Sequence, residues 1–259
     1  MKFFLALILF PFVTFACYTG NPGSPALLPK SLFGLQNPFI GLDSGYIFDF
    51  VEERKIKAVR KPSEVNLSKV TDFEIESNLA YVSLALLRRM ELYTFLGVTQ
   101  EKLEWDPISS PSPSKLKTKR HFSYALGAKF IFLDFGALVV GMDFQYFTLP
   151  SSKKIMQKLE NLYLPFLLGK QYLKWKEWQT ALGIAGKLGP FSPYAGIKYS
   201  DGKLQVKTTE GLPSLHFETR NHWGTYVGLS LNITRSIYVN GEARFLDEKG
   251  YSFQATSSF

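Results

Sequence analysis

Cysteine and histidine are scarce in this chain of 259 residues. It has one cysteine, Cys17, and three histidines, His121, His216 and His222. With no cysteine after Cys17, an intramolecular disulfide, a CxxC zinc site and a cysteine nucleophile are excluded for the part expected to fold. Beyond the first sixteen residues, no stretch approaches the length of about eighteen apolar residues that a transmembrane helix needs.

The first sixteen residues differ from the rest of the chain. Lys2 supplies a positive charge, the run FFLALILFPFVTF is almost entirely apolar, and Ala16 is a small residue with Thr14 at the minus-three position. This pattern predicts a secretory signal peptide at residues 1–16. Cys17 would then begin the mature chain. We favour a plain first residue there, with a lipidated one as the alternative, because TFAC loosely resembles a lipobox but lacks its usual leucine.

The rest of the chain is rich in alternating apolar and polar residues. In GYSFQATSSF, at 250–259, Tyr251 and Phe253 fall on one side of an extended strand, and Ser252 and Gln254 on the other. Aromatic residues, which favour strands and membrane interfaces, make up 15% of the chain. Ten strands are predicted, the last of them this one and the others at 44–54, 70–87, 91–105, 121–132, 137–146, 177–188, 194–200, 226–232 and 237–245.

The connections between these strands alternate in length. Short turns are expected near 88–89, 133–135, 188–190 and 233–235, and long connections at about 57–70, 105–120 and 149–172. Short turns at one end, long loops at the other and an even strand number are typical of outer-membrane barrels. The sequence therefore predicts an all-β protein of the bacterial outer membrane, a closed antiparallel transmembrane β-barrel of about ten strands at 44–259 with periplasmic termini, preceded by an N-terminal periplasmic segment at 17–43.

The aromatic residues fit this topology. Lipid offers no hydrogen-bond partners, so the last strand must pair with the first, and its terminal Phe259 has the position that barrel assembly machinery recognises. The tryptophans are expected on an outer girdle: Trp105, Trp175, Trp178 and Trp223.

Several ordered blocks carry a family resemblance. TGNPGSPALLP (19–29), DSGYIFDFVEER (43–54), SNLAYVSLALLRRMELYTFLGVT (77–99), EWQTALGIAGKLGPFSPYAGIKYS (177–200) and GEARFLDEKGYSFQATSSF (241–259) resemble blocks of the chlamydial major outer membrane porin family. The resemblance implies a trimeric general-diffusion porin that is also a structural surface protein. On this resemblance the chain is expected to be a short, cysteine-poor relative, so the cross-linking role of the family's cysteines is not expected to carry over.

Apolar faces that meet lipid leave the polar faces for the lumen. The alternation predicts these pore-lining residues: Asp49, Lys129, Asp143, Gln145, Glu177, Gln179, Lys187, Lys198, Asn240, Glu242, Arg244 and Gln254. Their four acids and four bases predict little charge preference, and the narrow interior of about ten strands predicts weak conductance. Two alternatives stay open: the charges pair across a narrow interior and plug it, or bulky neighbours such as Tyr194 and Tyr226 fold over inward glycines such as Gly228.

The expected function is porin-like passive diffusion of small solutes or ions. The alternative is a structural or adhesive surface protein whose basic outer loop binds polyanions through Lys115, Lys117, Lys119 and Arg120, consistent with the net charge of +8. An enzyme is not expected, because the histidines form no serine, histidine and acid cluster, and His216 and His222 lack a third metal ligand. We expect no cofactor, metal or nucleic acid. Expected partners are outer-membrane lipid and lipopolysaccharide, the barrel assembly machinery and a homotrimer.

Overall fold

A computed structural model describes residues 18–28, 31–32, 35–36, 39–60, 67–107, 114–150, 156–160, 171–208 and 214–259. The predicted signal peptide and Cys17 lie outside the described residues. The elements are α1 (Ser24–Leu27), β1 (Ser31–Leu32), β2 (Leu35–Gln36), β3 (Ile40–Arg54), β4 (Ile56–Arg60), β5 (Leu67–Leu86), β6 (Met90–Pro107), β7 (Ser114–Thr118), β8 (His121–Asp134), β9 (Leu138–Leu149), β10 (Met156–Glu160), β11 (Gln171–Gly186), β12 (Phe191–Thr208), β13 (Leu215–Thr219), β14 (Trp223–Asn232), β15 (Ile237–Phe245) and β16 (Glu248–Ser258).

Ten of these strands close into an antiparallel barrel. They pair in the order β3, β5, β6, β8, β9, β11, β12, β14, β15 and β16, and β16 returns to β3 with Ala255 opposite Tyr46. The N–H of Phe259 donates to the carbonyl oxygen of Leu42 at 2.9 Å, so the pairing continues to the last residue. The prediction of a closed ten-stranded barrel is confirmed.

The two ends of the barrel differ. One end, the short-turn end, carries the connections at 87–89, 135–137, 187–190 and 233–236, together with the start of β3 and the end of β16. At the other, the long-loop end, β4, β7, β10 and β13 extend the wall. Which side of the membrane each end faces stays a prediction.

Several predicted strand boundaries are wrong, and two of them show why. The first barrel strand begins at Ile40 rather than at 44, because residues 40–43 continue the pairing with β5. The predicted loop at 105–120 is partly strand, since β6 runs to Pro107 and β7 pairs with it through 114–117. The reason is the same in both places, because backbone pairing extends beyond the residues that show clean alternation.

The wall separates an apolar outside from a polar inside. In β16, Tyr251 and Phe253 are 54% and 52% exposed, whereas Ser252 and Gln254 are 4% and 3% exposed. Leu182 and Ile184 of β11 and Leu126 of β8 are exposed on the same outer surface. Among the described residues the one helix, α1, has four residues, so no helical membrane span is present.

Candidate functional site: the interior of the barrel

The predicted lumen residues fall inside the barrel with one exception. Eleven of the twelve are no more than 5% exposed: Asp49, Lys129, Asp143, Gln145, Glu177, Gln179, Lys198, Asn240, Glu242, Arg244 and Gln254. Lys187 is exposed, and its assignment is corrected, because β11 ends at Gly186 and alternation stops there. Such low exposure means that these side chains are packed rather than lining open water. Whether they line a conducting path in another state stays a prediction.

An N-terminal segment fills the middle of the barrel. Residues 18–28, named the plug here, are buried at every position. Tyr18 lies next to the Phe95 ring, and Ala26 and Leu27 of α1 belong to one buried cluster with Val139 of the wall. The expectation that residues 17–43 lie outside the barrel is therefore corrected for 18–28. The physical reason is a set of hydrogen bonds to strands far away in sequence.

Glu242 of β15 binds the plug backbone. The N–H of Thr19 donates to Oε1 of Glu242 at 3.0 Å, and the N–H of Gly20 donates to Oε2 at 2.8 Å. Hydrogen bonds to an ionised carboxylate are stronger than neutral ones. This single side chain satisfies two plug amides that would otherwise be buried without partners.

Further contacts hold the rest of the plug. Asn21 donates from Nδ2 to the Ser230 hydroxyl at 2.8 Å, and the Ser24 hydroxyl donates to Oε2 of Glu91 at 2.8 Å. Arg88, in a turn of the short-turn end, donates to the carbonyl oxygen of Ala26 at 2.6 Å. The plug is therefore anchored from the middle of the barrel to its short-turn end.

Inward glycines make room for this filling rather than for a channel. A Cβ on Gly228 would lie 2.2 Å from the Tyr194 ring, and one on Gly183 would lie 2.3 Å from the Tyr226 hydroxyl. A Cβ on Gly141 would lie 2.4 Å from the carbonyl oxygen of Pro22, in the plug. The alternative in which tyrosines fold over these glycines is the one that the structure shows.

Ion pairs surround the space between the plug and the long-loop end. Arg54 donates to Glu177 at 2.6 Å and also pairs with Glu248. Arg244 pairs with Asp49, and Lys198 lies 3.3 Å from Asp247. Burial raises the pKa of the Asp247 carboxyl to about 6, and the nearby Arg54 charge opposes that rise.

The expected charge balance is wrong. Sequence reasoning missed six buried charges: Asp43, Arg54, Glu91, Glu101, Asp247 and Glu248. Asp247 and Glu248 lie at a turn, and a register shift at Lys249 in the pairing of β16 with β3 puts Arg54 outside simple alternation. In the described part of the chain the buried charges are nine carboxylates and four basic groups: Asp43, Asp49, Glu91, Glu101, Asp143, Glu177, Glu242, Asp247 and Glu248 against Arg54, Lys129, Lys198 and Arg244.

An apolar layer closes the interior at the long-loop end. Phe73, Leu103, Leu149, Trp175 and Phe217, named the apolar layer here, belong to one buried cluster and are at most 2% exposed. The Phe73 and Trp175 rings lie 5.3 Å apart. Trp175 was expected on the outer girdle, which is wrong, because it shares the inward side of β11 with Glu177 and Gln179.

The predicted basic loop and the terminal residue are at the surface. Lys115 and Lys117 belong to β7, and Lys119 and Arg120 follow it. Lys117, Lys119 and Arg120 are exposed. Arg120 pairs with Glu76 at 2.5 Å, which reduces the charge that it offers to a ligand. Phe259 is 46% exposed at the end of the wall.

The three histidines have separate partners. Nδ1 of His222 is 3.8 Å from Oδ1 of Asp201 and is bonded to the carbonyl oxygen of Ser200. His216 bonds the Ser214 hydroxyl, and His121 lies 3.8 Å from Glu101.

One trio of carboxylates among the described residues is close enough together to hold a cation: Asp72, Glu74 and Glu104. The Lys102 ammonium is 2.5 Å from Glu74 and 2.8 Å from Glu104. A positive charge of the protein itself therefore already stands beside this trio.

A closed antiparallel barrel with an apolar outer face and a polar interior defines the class of outer-membrane β-barrels. The chain is accordingly a protein of the bacterial outer membrane.

No protein-family model matches the chain. Among solved structures it is similar to outer membrane protein OprG from Pseudomonas aeruginosa, at 9% identity and a TM-score of 0.44, over 91% of this chain and 98% of that one. It is also similar to the outer membrane protease OmpT from Escherichia coli, at 12% identity and a TM-score of 0.40, over 85% and 95%. The Ralstonia pickettii toluene transporter TbuX matches at 8% identity and a TM-score of 0.36, over 95% and 94%. Identities this low carry none of these functions across.

Proposed function

We propose that this protein is an outer-membrane transport barrel for small polar solutes or ions that is closed at rest by its own N-terminal plug. The observation that supports this proposal is the way the lumen is filled. Residues 18–28 are a separate segment that is bound to the wall by hydrogen bonds and small apolar contacts, without belonging to the barrel sheet. A segment of this kind can leave while the wall stays closed.

The surface behind the plug suits a polar solute. Departure of the plug would expose the side chains that now bond to it: Glu242, Gln254, Asn240 and Lys129. Carboxylate, amide and ammonium groups can replace part of the hydration shell of an ion or a small polar molecule.

Displacing the plug is not sufficient for conduction, because the apolar layer lies beyond it. An apolar constriction resists water and ions even where the backbone leaves space. Transport therefore needs both the plug and the apolar layer to move. The effect of removing each one has to be tested in the presence and in the absence of the other.

Planar-bilayer recording of refolded protein tests the proposal. The variants are a deletion of residues 18–28, the pair Phe73→Ala with Phe217→Ala, and the two combined, beside the unaltered chain. We expect the unaltered barrel to be nearly silent and the combined variant to give the largest stepwise openings. Truncating a buried phenylalanine costs about 3–5 kcal/mol, so the variants can fail to fold. Folding is therefore checked by comparing the migration of unheated and heated protein on denaturing gels. Silence in all four folded proteins would contradict the proposal.

The alternative function, a structural or adhesive surface barrel, is supported by the apolar layer. Five closely packed apolar side chains at the long-loop end suit a permanently sealed barrel better than a solute path. Exposed Lys117 and Lys119 would then supply the contact with polyanions. A silent combined variant would favour this function.

The remaining expectations stay proposals. Phe259 as an assembly signal is consistent with its place at the end of the last paired strand. The assembly machinery as a partner, a homotrimer and the relationship to chlamydial porins rest on the sequence patterns alone. None of them is needed for the test above.

A further inference from the structure

The outer surface near the long-loop end carries an aromatic row that marks where the lipid-facing band ends. Trp178 and Trp223 are 38% and 62% exposed. The Tyr199 ring lies between them, with centroids 5.4 Å from Trp178 and 5.3 Å from Trp223. On the side toward the short-turn end, Leu182 and Ile197 are exposed as adjoining cross-strand partners. Aromatic residues of this kind lie at the interface between acyl chains and headgroups.

Lysines follow directly beyond this aromatic row. Lys176 of β11 and Lys203 of β12 are exposed on the outer face, with their Cα atoms directly opposite each other. Lys176 is two residues from Trp178, a rise of about 7 Å along the strand. Lys174 lies one further step outward on the same face. These ammonium groups are therefore placed at the depth of lipid headgroups.

The positive charge of this surface is incompletely compensated. Like charges directly opposite each other destabilise a sheet. Glu218 lies 3.7 Å from Lys203, but it is also the register partner of exposed Lys57. Asp201, the other nearby carboxylate, is beside His222. Neither Lys174 nor Lys176 forms an ion pair with a described carboxylate.

The corresponding outer surface on β5 and β6 is neutralised by the chain itself. Lys102 pairs with Glu74 and Glu104, and Arg120 pairs with Glu76. One side of the barrel therefore pairs its own charges, whereas on the other side Glu218 pairs with Lys203 and leaves Lys174 and Lys176 without a described carboxylate partner.

We propose that the surface formed by Lys174, Lys176, Lys203, Trp178 and Trp223 binds a membrane lipid with an anionic phosphate headgroup, in the leaflet at the long-loop end. The lysines bind the phosphate, the tryptophans lie at the interface, and the acyl chains lie against exposed Leu182 and Ile197, on the side toward the short-turn end. Charge complementarity and these exposed apolar side chains favour a lipid over a soluble polyanion.

Tryptophan quenching by brominated lipid tests this site, because two of the four tryptophans belong to it. Trp175 is buried, and a Trp105→Phe background removes the remaining partly exposed one. The barrel is refolded into vesicles of phosphatidylcholine containing brominated phosphatidylglycerol, or brominated phosphatidylcholine as the reference. At low salt we expect the association constant obtained from quenching to be at least about five-fold higher for phosphatidylglycerol than for phosphatidylcholine. This is the factor that the attraction of one lysine to an anionic surface supplies.

The matched variants separate this site from general charge. Lys176→Gln with Lys203→Gln should bring the relative constant close to one, whereas Arg120→Gln with Lys249→Gln removes the same charge elsewhere and should leave it unchanged. The proposal is overturned if the unaltered barrel shows no preference for phosphatidylglycerol, or if both double variants lose that preference equally. It is also overturned if Lys176→Gln with Lys203→Gln abolishes retention on heparin while the unaltered barrel has no lipid preference, because the lysines would then bind a soluble polyanion.

Discussion

At the scale of single residues, Glu242 is the side chain on which the plug depends most. Its two carboxylate oxygens accept the N–H groups of Thr19 and Gly20, and both amides are buried. A buried donor left without a partner costs about 1–3 kcal/mol. We expect Glu242→Ala to loosen the plug and to raise the exchange rates of these two amides at least about ten-fold, measured by hydrogen exchange. The strand amides of β15 serve as the internal reference.

A matched variant shows whether the effect belongs to the plug. Glu218→Ala removes a carboxylate on the outer face, and exchange at Thr19 and Gly20 should not change. Unchanged exchange in folded Glu242→Ala as well would mean that other contacts, such as that of Ser24 with Glu91, suffice to hold the segment.

At the scale of elements, the plug has a consequence for the residue before it. Tyr18 is 3% exposed inside the barrel, and Cys17 is joined directly to it. Tyr18 is enclosed by the barrel wall, so acyl chains inserted in lipid on the residue joined to it would have to draw Tyr18 out of this place. We therefore expect protein with a bound plug to carry an unmodified Cys17, and intact-mass spectrometry of protein from its native membrane checks this. A diacylglyceryl mass on a chain whose residues 18–28 remain protected would contradict the plugged arrangement.

The elements also show why some structure could be predicted and some could not. The ten wall strands follow from a period of two, because one face meets lipid and the other does not. The segment from 18 to 28 has no such period, and its partners are remote: Gly20 and Glu242 are 222 positions apart. Its sequence signals were local, an Asn-Pro-Gly turn and a proline in the first turn of α1, and they indicate a turn without indicating where it binds.

At the scale of the whole molecule, closure of the lumen depends on distances that alternation does not contain. Alternation places Trp175 or Tyr226 on a face, but whether an inward ring fills the lumen depends on the width of a barrel of about ten strands. Both rings are completely buried, so the interior is narrow enough for the wall side chains to meet. The charge balance was missed for local reasons as well. Asp247 and Glu248 lie at a turn, Asp43 precedes the predicted start of the first strand, and no lumen residues were predicted on the strand that carries Glu91 and Glu101.

This charge excess predicts how an opened barrel selects ions. Nine buried carboxylates face four basic groups in the described interior, and a path lined by one sign of charge favours ions of the other sign. The combined variant without the plug and without two phenylalanines should therefore conduct K⁺ in preference to Cl⁻, seen as a shifted reversal potential in a KCl gradient. Adding Asp143→Asn, which removes an interior charge, should reduce the shift, whereas Glu53→Gln on the outer face should not. A reversal potential at zero or on the anion side would mean that paired and protonated carboxylates leave no net field along the path.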